Sequence, residues 1–377
     1  MTAKLRILTG INRTSGPSSG STIIVNDIYG AMPEFSTTFL GREPVDPAWN
    51  YSFDELIPLA TPKRPQGPEF DAYLARLTRE VGALIEQSRP DVIHAQNPGF
   101  ALSLALVRAS GSIPVISITH GPEVIVAERD ERARELLHEV VAASAAVVAP
   151  TAALAGRIDQ LTRRRCVDRI AVIPWGISLD DIRVREYPSA GTGPLSLVYA
   201  GRLDANKSAV TGIEAVAMTS QPHRLTIIGQ GPEEEVLRER ARALGIQDRV
   251  KFVPFLPRQE LWHRFHEFDA LVFTTAGSEA FGLVAIEAQA HGLPVVYANL
   301  SGMAEILRHA GSPFTASNPA SLASALDELA RDVYWRNALV RAGLDNARRY
   351  DITSTAKRLA ALTTSVAGVS TKSAPDG

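Results

Sequence analysis

Two carboxylates eight residues apart flank a loop of small residues in the last third of the chain. Glu279 lies in the loop, and Glu287 lies in the helix-forming segment that follows. The apolar run 269–275 before the loop predicts a buried strand, so the loop leads from a strand into a helix. A helix N-terminus offers free backbone N–H groups and the positive end of the helix dipole, which suit an anion. Because carboxylates accept hydrogen bonds from hydroxyls, the predicted guest is a phosphate with a nucleoside on one side and a sugar on the other.

The same carboxylates have a simpler interpretation, in which Glu279 caps the helix and Glu287 is solvated. The surrounding residues favour the functional interpretation. Residues 279–296 resemble the E-x7-E region of retaining glycosyltransferases of family 4, which have the GT-B fold, and the likeness continues through 301–305. The resemblance implies that Glu287 holds ribose hydroxyls and that Glu279 grips hydroxyls of the sugar. It also implies donor-binding residues in the loop and the first helical turn, namely Ala280, Phe281, Gly282, Leu283 and Val284.

Two cations follow another predicted strand, 195–200. Gly201 allows a tight turn, Arg202 offers a fork of donors, and Lys207 brings a point charge to the start of the next helix. Both cations could be ordinary surface residues, but the end of a strand is where such a sheet binds its ligands. The pattern resembles the family's Gly-Arg-Leu…Lys element, whose cations clamp the phosphates of the donor.

A Gly-x-Gly turn, which begins at Gly229, stands between a predicted strand and a helix. Glu234 occupies the third glycine place of a dinucleotide fingerprint, so a nicotinamide site is a weak interpretation. The turn resembles the family's Gly-x-Gly-Pro turn, which implies that Gly229 binds the donor. The loop after the strand 250–253 lies beside the nucleobase in the family, which implies a contact at Phe255. Pro254 stands at the family's usual glycine there and removes a backbone donor.

A histidine marks the end of a predicted strand in the first half of the chain. His120 follows the strand 113–119, where open α/β sheets place their ligands. A lone histidine is often structural and satisfies a loop carbonyl. Residues 119–121, however, resemble the family's Thr-x-His region beside the transferred sugar, which implies a catalytic role for His120. His94, near another strand end, is the weaker candidate.

Residues 12–22 form a loop rich in Gly, Ser and Pro, and it leads into a mildly helical segment. Glycine in such a loop lets a ligand approach the backbone closely. In the family, a Gly-rich loop at this place faces the cleft. The sequence has Ser19-Gly20-Ser21 where two glycines are common, so only Gly20 is carried over as a donor-binding residue.

The length of 377 residues suits two domains, and strands alternating with helices predict parallel βαβ units. The predicted fold class is α/β. The resemblance implies GT-B, with two Rossmann-like doubly wound domains facing a central cleft. The predicted segments are an acceptor-binding domain at 1–176, a linker at 177–194, a nucleotide-sugar-binding domain at 195–350, a C-terminal helix at 351–366 that crosses back to the first domain, and a disordered tail at 367–377.

Composition narrows the possible partners. The chain is 45% hydrophobic and 21% charged with a net charge of about −2, so neither nucleic acid nor an anionic membrane is expected to bind it. One cysteine, Cys166, excludes a disulfide framework and indicates a reducing cytoplasm. No apolar run reaches membrane-spanning length, and 70–89 is not a basic amphipathic face. No Asp-x-Asp pair or His/Cys cluster demands a metal, and no cofactor is expected.

The implied activity is transfer of a sugar from a nucleotide-sugar to a small soluble acceptor with retention of the anomeric configuration. A ribonucleotide donor, UDP or GDP, is favoured. Arg202, Lys207 and the amides from Phe281 to Val284 would stabilise the leaving diphosphate. That phosphate would act as the base in a front-face attack. A secondary metabolite such as an antibiotic core is the acceptor class that we expect.

Three other functions stay open from the sequence. A nucleotide-sugar 2-epimerase on the same fold would release an altered sugar without an acceptor, and the fold cannot decide between the two. A non-catalytic nucleotide-sugar-binding protein is disfavoured by the intact Glu279, Arg202 and Lys207. A nicotinamide oxidoreductase rests only on the Gly-x-Gly turn.

Overall fold

The computed structural model describes residues 4–14, 20–42, 51–63, 67–163, 166–180, 182, 184, 192–277 and 279–372. The chain divides into two compact units. The first unit consists of Met1–Gly176 together with Ile352–Gly377, and the second unit is Ile177–Asp351. Among the described residues, no helix combines the length and the apolar character needed to cross a membrane.

The first unit is built on a parallel sheet of seven strands. The strands are β1 (Arg6–Thr14), β2 (Ser36–Arg42), β3 (Glu55–Leu59), β4 (Val92–Gln96), β5 (Val115–Ile118), β6 (Ala146–Ala149) and β7 (Ile170–Val172). The helices between them are α1 (Gly20–Gly30), α2 (Phe70–Ser88), α3 (Ala101–Ala109), α4 (Pro122–Arg129), α5 (Glu131–Ala143) and α6 (Ala152–Leu161). Strands β4, β5 and β6 are buried along their whole length, as expected for a parallel sheet covered on both faces.

The second unit repeats this plan with six strands. They are β8 (Ser196–Ala200), β9 (Arg224–Ile228), β10 (Val250–Val253), β11 (Ala270–Phe273), β12 (Val295–Ala298) and β13 (Ser312–Phe314). The helices are α7 (Ala209–Met218), α8 (Glu234–Ala243), α9 (Arg258–Arg264), α10 (Leu283–Ala290), α11 (Ser301–Leu307), α12 (Pro319–Arg331) and α13 (Val333–Ala347). Apolar side chains from the sheet and from α7, α8, α12 and α13 form its core.

Both sheets reverse their order at one place. The first reads β3-β2-β1-β4-β5-β6-β7 and the second β10-β9-β8-β11-β12-β13. In each unit the chain moves outward for three strands and then returns to the other side of the first strand. Ligands of open α/β sheets bind beyond the carboxyl ends of the strands at this switch point. The prediction of two doubly wound Rossmann-like sheets is confirmed, and it places the search at the ends of β1 and β4 and of β8 and β11.

The last helix, α14 (Ile352–Lys372), belongs to the first unit although it follows the second in sequence. Within that unit, Thr355 Oγ1 donates to the carbonyl of Pro174 at 2.8 Å, and Arg358 donates to the carbonyl of Val172 at 2.6 Å. The helix passes the boundary expected at residue 366, and Ala367, the first residue beyond it, is buried. Residues 373–377 lie outside the described residues.

The predicted linker begins too early. Ile177 is fully buried, donates to the carbonyl of Tyr350 at 2.8 Å and pairs with Asp351, so it is part of the second unit. Residues 181, 183 and 185–191 of the predicted linker lie outside the described part of the chain.

Candidate functional site

An ion pair stands at the switch point of the second unit. Lys207, in the loop after β8, places Nζ 2.5 Å from Oε2 of Glu279, in the loop after β11. The side chains are 25% and 12% exposed, so most of the pair is withdrawn from water. The two loops also bond directly, because Thr274 Oγ1 donates to the carbonyl of Lys207 at 3.0 Å and Ala276 N donates to the carbonyl of Asn206 at 2.9 Å. Sheet topology thus brings together two residues that are 72 positions apart.

The Glu279 carboxylate is held in its ionised form. Burial by itself would raise the pKa of this carboxyl, but the Lys207 ammonium and the backbone N–H groups of Phe281 and Ala280 together hold it below its usual range. These two N–H groups therefore lie close to Glu279 and favour its charge. The expected contact of the Phe281 N–H with a diphosphate stays a prediction.

The start of α10 keeps other donors available. Gly282 caps the helix with φ 78° and ψ 51°, and a Cβ there would lie 2.8 Å from the Met303 thioether. Phe281 is buried edge-on against Tyr350, with ring centroids 5.3 Å apart, so its ring anchors the loop. The backbone N–H groups of Gly282, Leu283 and Val284 have no partner among the described residues. They are the free donors of the helix N-terminus.

Glu287 is also paired. Its Oε1 accepts from Arg258 Nε at 2.8 Å, and the two side chains are 9% and 16% exposed. Arg258 begins α9, directly after the loop that follows β10, and its guanidinium lies 4.8 Å from the centre of the Trp262 ring. Our sequence analysis did not single out Arg258. The rule that strand ends carry ligand residues could have found it, since Arg258 closes the loop that follows β10. Phe255, in the same loop, is 39% exposed.

Arg202 has a partner of its own. Its guanidinium lies 2.8 Å from the Asp204 carboxylate, and the arginine side chain is 61% exposed. Asp204 in turn accepts from the backbone N of Lys207 at 3.1 Å, which fixes the turn before α7. The cation of Arg202 is thus accessible, and it is held at the loop that also carries Lys207.

The Gly-x-Gly turn has a structural explanation. A Cβ on Gly229 would lie 1.9 Å from the carbonyl oxygen of Gly201, and one on Gly231 would lie 2.2 Å from that of Leu203. The backbones of the two loops bond here, with Leu203 N donating to the carbonyl of Gln230 at 3.0 Å. Gly229 and Gly231 therefore allow two loops to touch, which removes the main support for a nicotinamide site. Gly201, by contrast, leaves room for a Cβ at ordinary contact distance.

His120 lies in the first unit, after β5. Its Nε2 is 2.7 Å from Gln96 Oε1, its ring is stacked on Trp175 at 5.6 Å between centroids, and the residue is 7% exposed. Glu123 Oε1 accepts from the backbone N of His120 at 2.6 Å and of Gly121 at 3.2 Å, which closes the turn. Burial lowers the pKa of His120 to about 4, so the ring is neutral at physiological pH.

The other two candidates of the first unit are Gly20 and His94. Gly20 is the exposed first residue of α1, and nothing lies within 4 Å of a Cβ built there, so glycine is not needed for space. His94 is fully buried, between the hydroxyls of Tyr29 and Thr363, so it cannot reach a ligand directly. Among the described residues, no group of three or more His, Cys, Asp or Glu side chains could hold a metal.

Known proteins resemble both units. Residues 36–181 match the family described as Glycosyltransferase Family 4, and residues 183–344 match the one described as glycosyl transferases group 1. The D-inositol 3-phosphate glycosyltransferase of Frankia alni is 30% identical over 322 residues, which are 77% of this chain and 78% of that protein. The glycogen synthase of Mycobacterium tuberculosis is 29% identical over 230 residues, which are 58% of this chain and 54% of the relative.

Solved structures share the fold. Sucrose-phosphate synthase from Thermosynechococcus elongatus aligns over 97% of this chain and 100% of its own, with a TM-score of 0.83 and 19% identity. Anabaena HepE in complex with UDP and glucose aligns over 96% of this chain and 100% of its own, with a TM-score of 0.79 and 18% identity. At these identities the likeness shows the architecture alone, which is GT-B.

Proposed function

Because this chain belongs to glycosyltransferase family 4, we propose that it transfers a sugar from a nucleoside diphosphate sugar to a small hydroxylated acceptor, with retention of the anomeric configuration. The observation that carries the proposal is the withdrawn Lys207–Glu279 ion pair, which stands beside a helix N-terminus at the switch point of the second unit. A cation, free N–H groups and an ionised carboxylate at one place suit a diphosphate attached to a hydroxylated ring.

The residues would divide the work as follows. Lys207, Arg202 and the N–H groups of Gly282, Leu283 and Val284 would stabilise charge on the diphosphate as its bond to the anomeric carbon breaks. The acceptor hydroxyl would attack the same face of the sugar, and its proton would pass to the departing phosphate oxygen. No metal takes part in this proposal, because cations of the chain neutralise the diphosphate.

The carboxylates would bind hydroxyls. Glu287, oriented by Arg258, would hold the ribose, which favours a ribonucleotide such as UDP or GDP. Glu279 would bind the transferred sugar, and His120 would contact the sugar or the acceptor. HepE is solved with UDP, and the Frankia alni relative is named for an inositol phosphate acceptor, which places UDP and a small polyol first among the compounds to try. The cytoplasmic setting and the secondary-metabolite acceptor stay predictions from the sequence.

A binding panel tests the donor site. Thermal shift and calorimetry with UDP, GDP, ADP, CDP and dTDP would be run on the wild type, Lys207→Ala and Glu287→Ala. A ligand at a hundred-fold excess over its Kd stabilises the folded state by about 2.7 kcal/mol. We expect one ribonucleoside diphosphate to bind and both variants to lose it. Arg240→Ala, which breaks a half-exposed ion pair with Glu214 on the helices of the same unit, should bind like the wild type.

Product analysis tests the reaction. Incubation of the matching nucleotide-sugar with small polyols, followed by NMR of the anomeric proton, should show a product with the configuration of the donor. An inverted product would overturn the retaining mechanism, and an altered free sugar formed without an acceptor would favour the epimerase. Activity should persist in a chelator. A loss of activity in the chelator that magnesium or manganese restores would contradict the metal-independent mechanism.

A further inference from the structure

A continuous series of hydrogen bonds crosses the interior of the first unit from α14 to His120. Thr363 Oγ1 lies 3.1 Å from His94 Nε2, and His94 Nδ1 lies 2.7 Å from the hydroxyl of Tyr29. That hydroxyl lies 3.0 Å from Gln96 Nε2, and Gln96 Oε1 lies 2.7 Å from His120 Nε2. All five side chains are buried, and none is more than 7% exposed. We call this series the histidine relay.

The direction of each hydrogen bond follows from the Thr363 end. The Thr363 hydroxyl donates to the carbonyl of Leu359 at 2.7 Å, so its oxygen must accept from His94 Nε2–H. His94 Nδ1 is then unprotonated and accepts the hydroxyl proton of Tyr29. The oxygen of Tyr29 is left to accept from the amide nitrogen of Gln96. The Thr9 hydroxyl, at 3.4 Å, is a second acceptor near the Tyr29 hydroxyl, but the 2.7 Å contact with His94 Nδ1 is much shorter and takes the proton.

A second contact fixes the orientation of the Gln96 amide. Thr9 donates its hydroxyl to the carbonyl of His94 at 2.9 Å, so its oxygen also accepts from Gln96 Nε2, at 3.1 Å. The amide nitrogen thus faces two acceptors, and Oε1 is turned to His120. Oε1 can only accept, so His120 Nε2 carries the ring proton. His120 Nδ1 is then an unprotonated acceptor, and it has no partner among the residues that the structure describes.

Two further features hold the ring in this form. Burial lowers the pKa of His94 to about 3 and that of His120 to about 4, so neither imidazole becomes cationic near neutral pH and reverses the series. The Trp175 ring is stacked on His120 with 27° between the planes, which limits rotation. The histidine thus has an aromatic face on one side of its ring.

We propose that the histidine relay fixes His120 in the tautomer with the proton on Nε2, so that Nδ1 accepts a hydrogen bond from a substrate hydroxyl. Gln96, Tyr29, His94 and Thr363 are positioning residues in this scheme, and the role of His120 toward substrate rests on the proposed glycosyl transfer. A neutral acceptor in a buried setting attracts hydroxyls and repels phosphate oxygens. The first unit therefore selects a hydroxyl of the sugar or of the acceptor at this point.

The tautomer can be measured directly. The chain has eight histidines, and long-range proton–nitrogen NMR on protein labelled with nitrogen-15 in histidine separates protonated from unprotonated ring nitrogens. The signal of His120 is assigned by its loss in His120→Asn. We expect Nε2–H and an unprotonated Nδ1 throughout pH 6 to 8 in the wild type. An Nδ1–H form or an imidazolium in that range would overturn the proposal.

Variants test the relay. Gln96→Leu removes the acceptor at His120 Nε2, so the spectrum should show a mixture of tautomers and kcat/KM should fall by about ten-fold to a hundred-fold. Thr363→Val, at the far end of the relay, should shift the tautomer of His94 and lower kcat/KM less, and Thr363→Ser should restore both. Ser117→Ala removes another buried hydroxyl of the same unit, bonded to Ser144 at 2.6 Å, and should leave the His120 spectrum unchanged.

The outcomes separate this proposal from the proposed function. If Gln96→Leu leaves the tautomer unchanged, the relay does not set it and the proposal is wrong. A changed tautomer with unchanged kcat/KM would show that Nδ1 does not serve the substrate, which also overturns the proposal. If the wild type transfers no sugar, the proposed function fails, and the NMR spectra alone decide whether the relay fixes His120.

Discussion

The two units share one strand order but carry opposite chemistry where that order reverses. From α14 across β4 to the end of β5, the first unit buries five neutral side chains in one directed series of hydrogen bonds, and two of them, His94 and Gln96, lie on β4. At the ends of β8 and β11, the second unit holds the ions Lys207 and Glu279 2.5 Å apart. The topology therefore fixes where a ligand can bind, and the side chains decide which kind of ligand it is.

The two arrangements differ in the partner that offsets the free-energy cost of burying each group. A buried neutral group needs one hydrogen-bond partner to avoid a penalty, and the histidine relay supplies one to each member. Buried ions need a counter-charge, and Lys207 and Arg258 each have a carboxylate beside them. Under the proposed function, a diphosphate would compete with Glu279 for Lys207, whereas the neutral groups of the first unit would keep their partners.

The largest expected effect comes from the contact between the loops after β8 and β9, close to the Lys207–Glu279 ion pair. Gly229→Ala places a Cβ 1.9 Å from the carbonyl oxygen of Gly201, and backbone cannot move aside as a side chain can. We expect the second unit to lose more than about 4 kcal/mol in the free energy of unfolding, measured with denaturant. Gly156→Ala in α6 has open space and should instead gain about 0.5–1 kcal/mol. Equal stability of Gly229→Ala and wild type would contradict the close loop contact.

Removal of the Lys207 charge has the next largest expected effect. Lys207→Met keeps most of the stem and leaves Glu279 without its cation. We expect kcat/KM to fall by about a hundred-fold to a thousand-fold, as for loss of one strong transition-state donor. Arg240→Met is the matched control, since Arg240 makes a 2.6 Å ion pair with Glu214 away from the switch point. Similar losses in both variants would show that general charge, and not this site, matters.

Arg258→Leu tests whether the Arg258–Glu287 ion pair also stabilises the fold. It leaves the Glu287 carboxylate, only 9% exposed, without a cation, and we expect a loss of about 1–3 kcal/mol in stability together with weaker nucleotide binding. The exposed pair of Arg348 and Asp345, with side chains 72% and 75% exposed, should contribute about 1 kcal/mol or less. A double-mutant cycle with Glu287→Gln measures the coupling, and a coupling near zero would contradict the pair.

Acid should act on buried histidines before it reaches the Glu279 carboxylate. His94 and His120 have pKa values lowered from 6.5 to about 3 and about 4, so the unfolded chain takes up protons that the folded protein refuses. Stability should therefore fall as the pH drops below 6.5, by up to about 1.4 kcal/mol per pH unit for each histidine. Glu279, whose pKa is lowered from 4.5, adds its loss only at lower pH. Denaturant midpoints from pH 7 to 4 measure the slope, which should be smaller in His94→Asn.

The sequence predicted best what lies directly at a strand end. Lys207 and Glu279 were singled out because each follows an apolar run, and parallel strands bring such ends to one edge. Strands β2 and β3 were not predicted, because Ser36–Arg42 and Glu55–Leu59 mix polar and apolar residues over short lengths. Pattern alone is weak for such segments.

Contacts between distant positions were beyond reach. Arg258 and Glu287 are 29 residues apart on two helices, and Thr363 and His94 are 269 apart. No local period marks such pairs, since each depends on how whole elements pack. Gly229 shows the same limit in another way. Its motif was visible, but only the packed loops show that glycine is needed there for the close contact with Gly201.

The placement of α14 has a consequence for how the protein is made. The first unit consists of two pieces, and the second unit, Ile177–Asp351, lies uninterrupted between them. On the ribosome, the second unit can therefore finish folding while the first still lacks its last helix. Until Thr363 emerges, His94 has no acceptor for its Nε2–H, and the face that α14 will cover stays open to water and to chaperones. A chain truncated before Ile352 would contain a complete second unit, with its Lys207–Glu279 ion pair, and a first unit that lacks the end of its histidine relay.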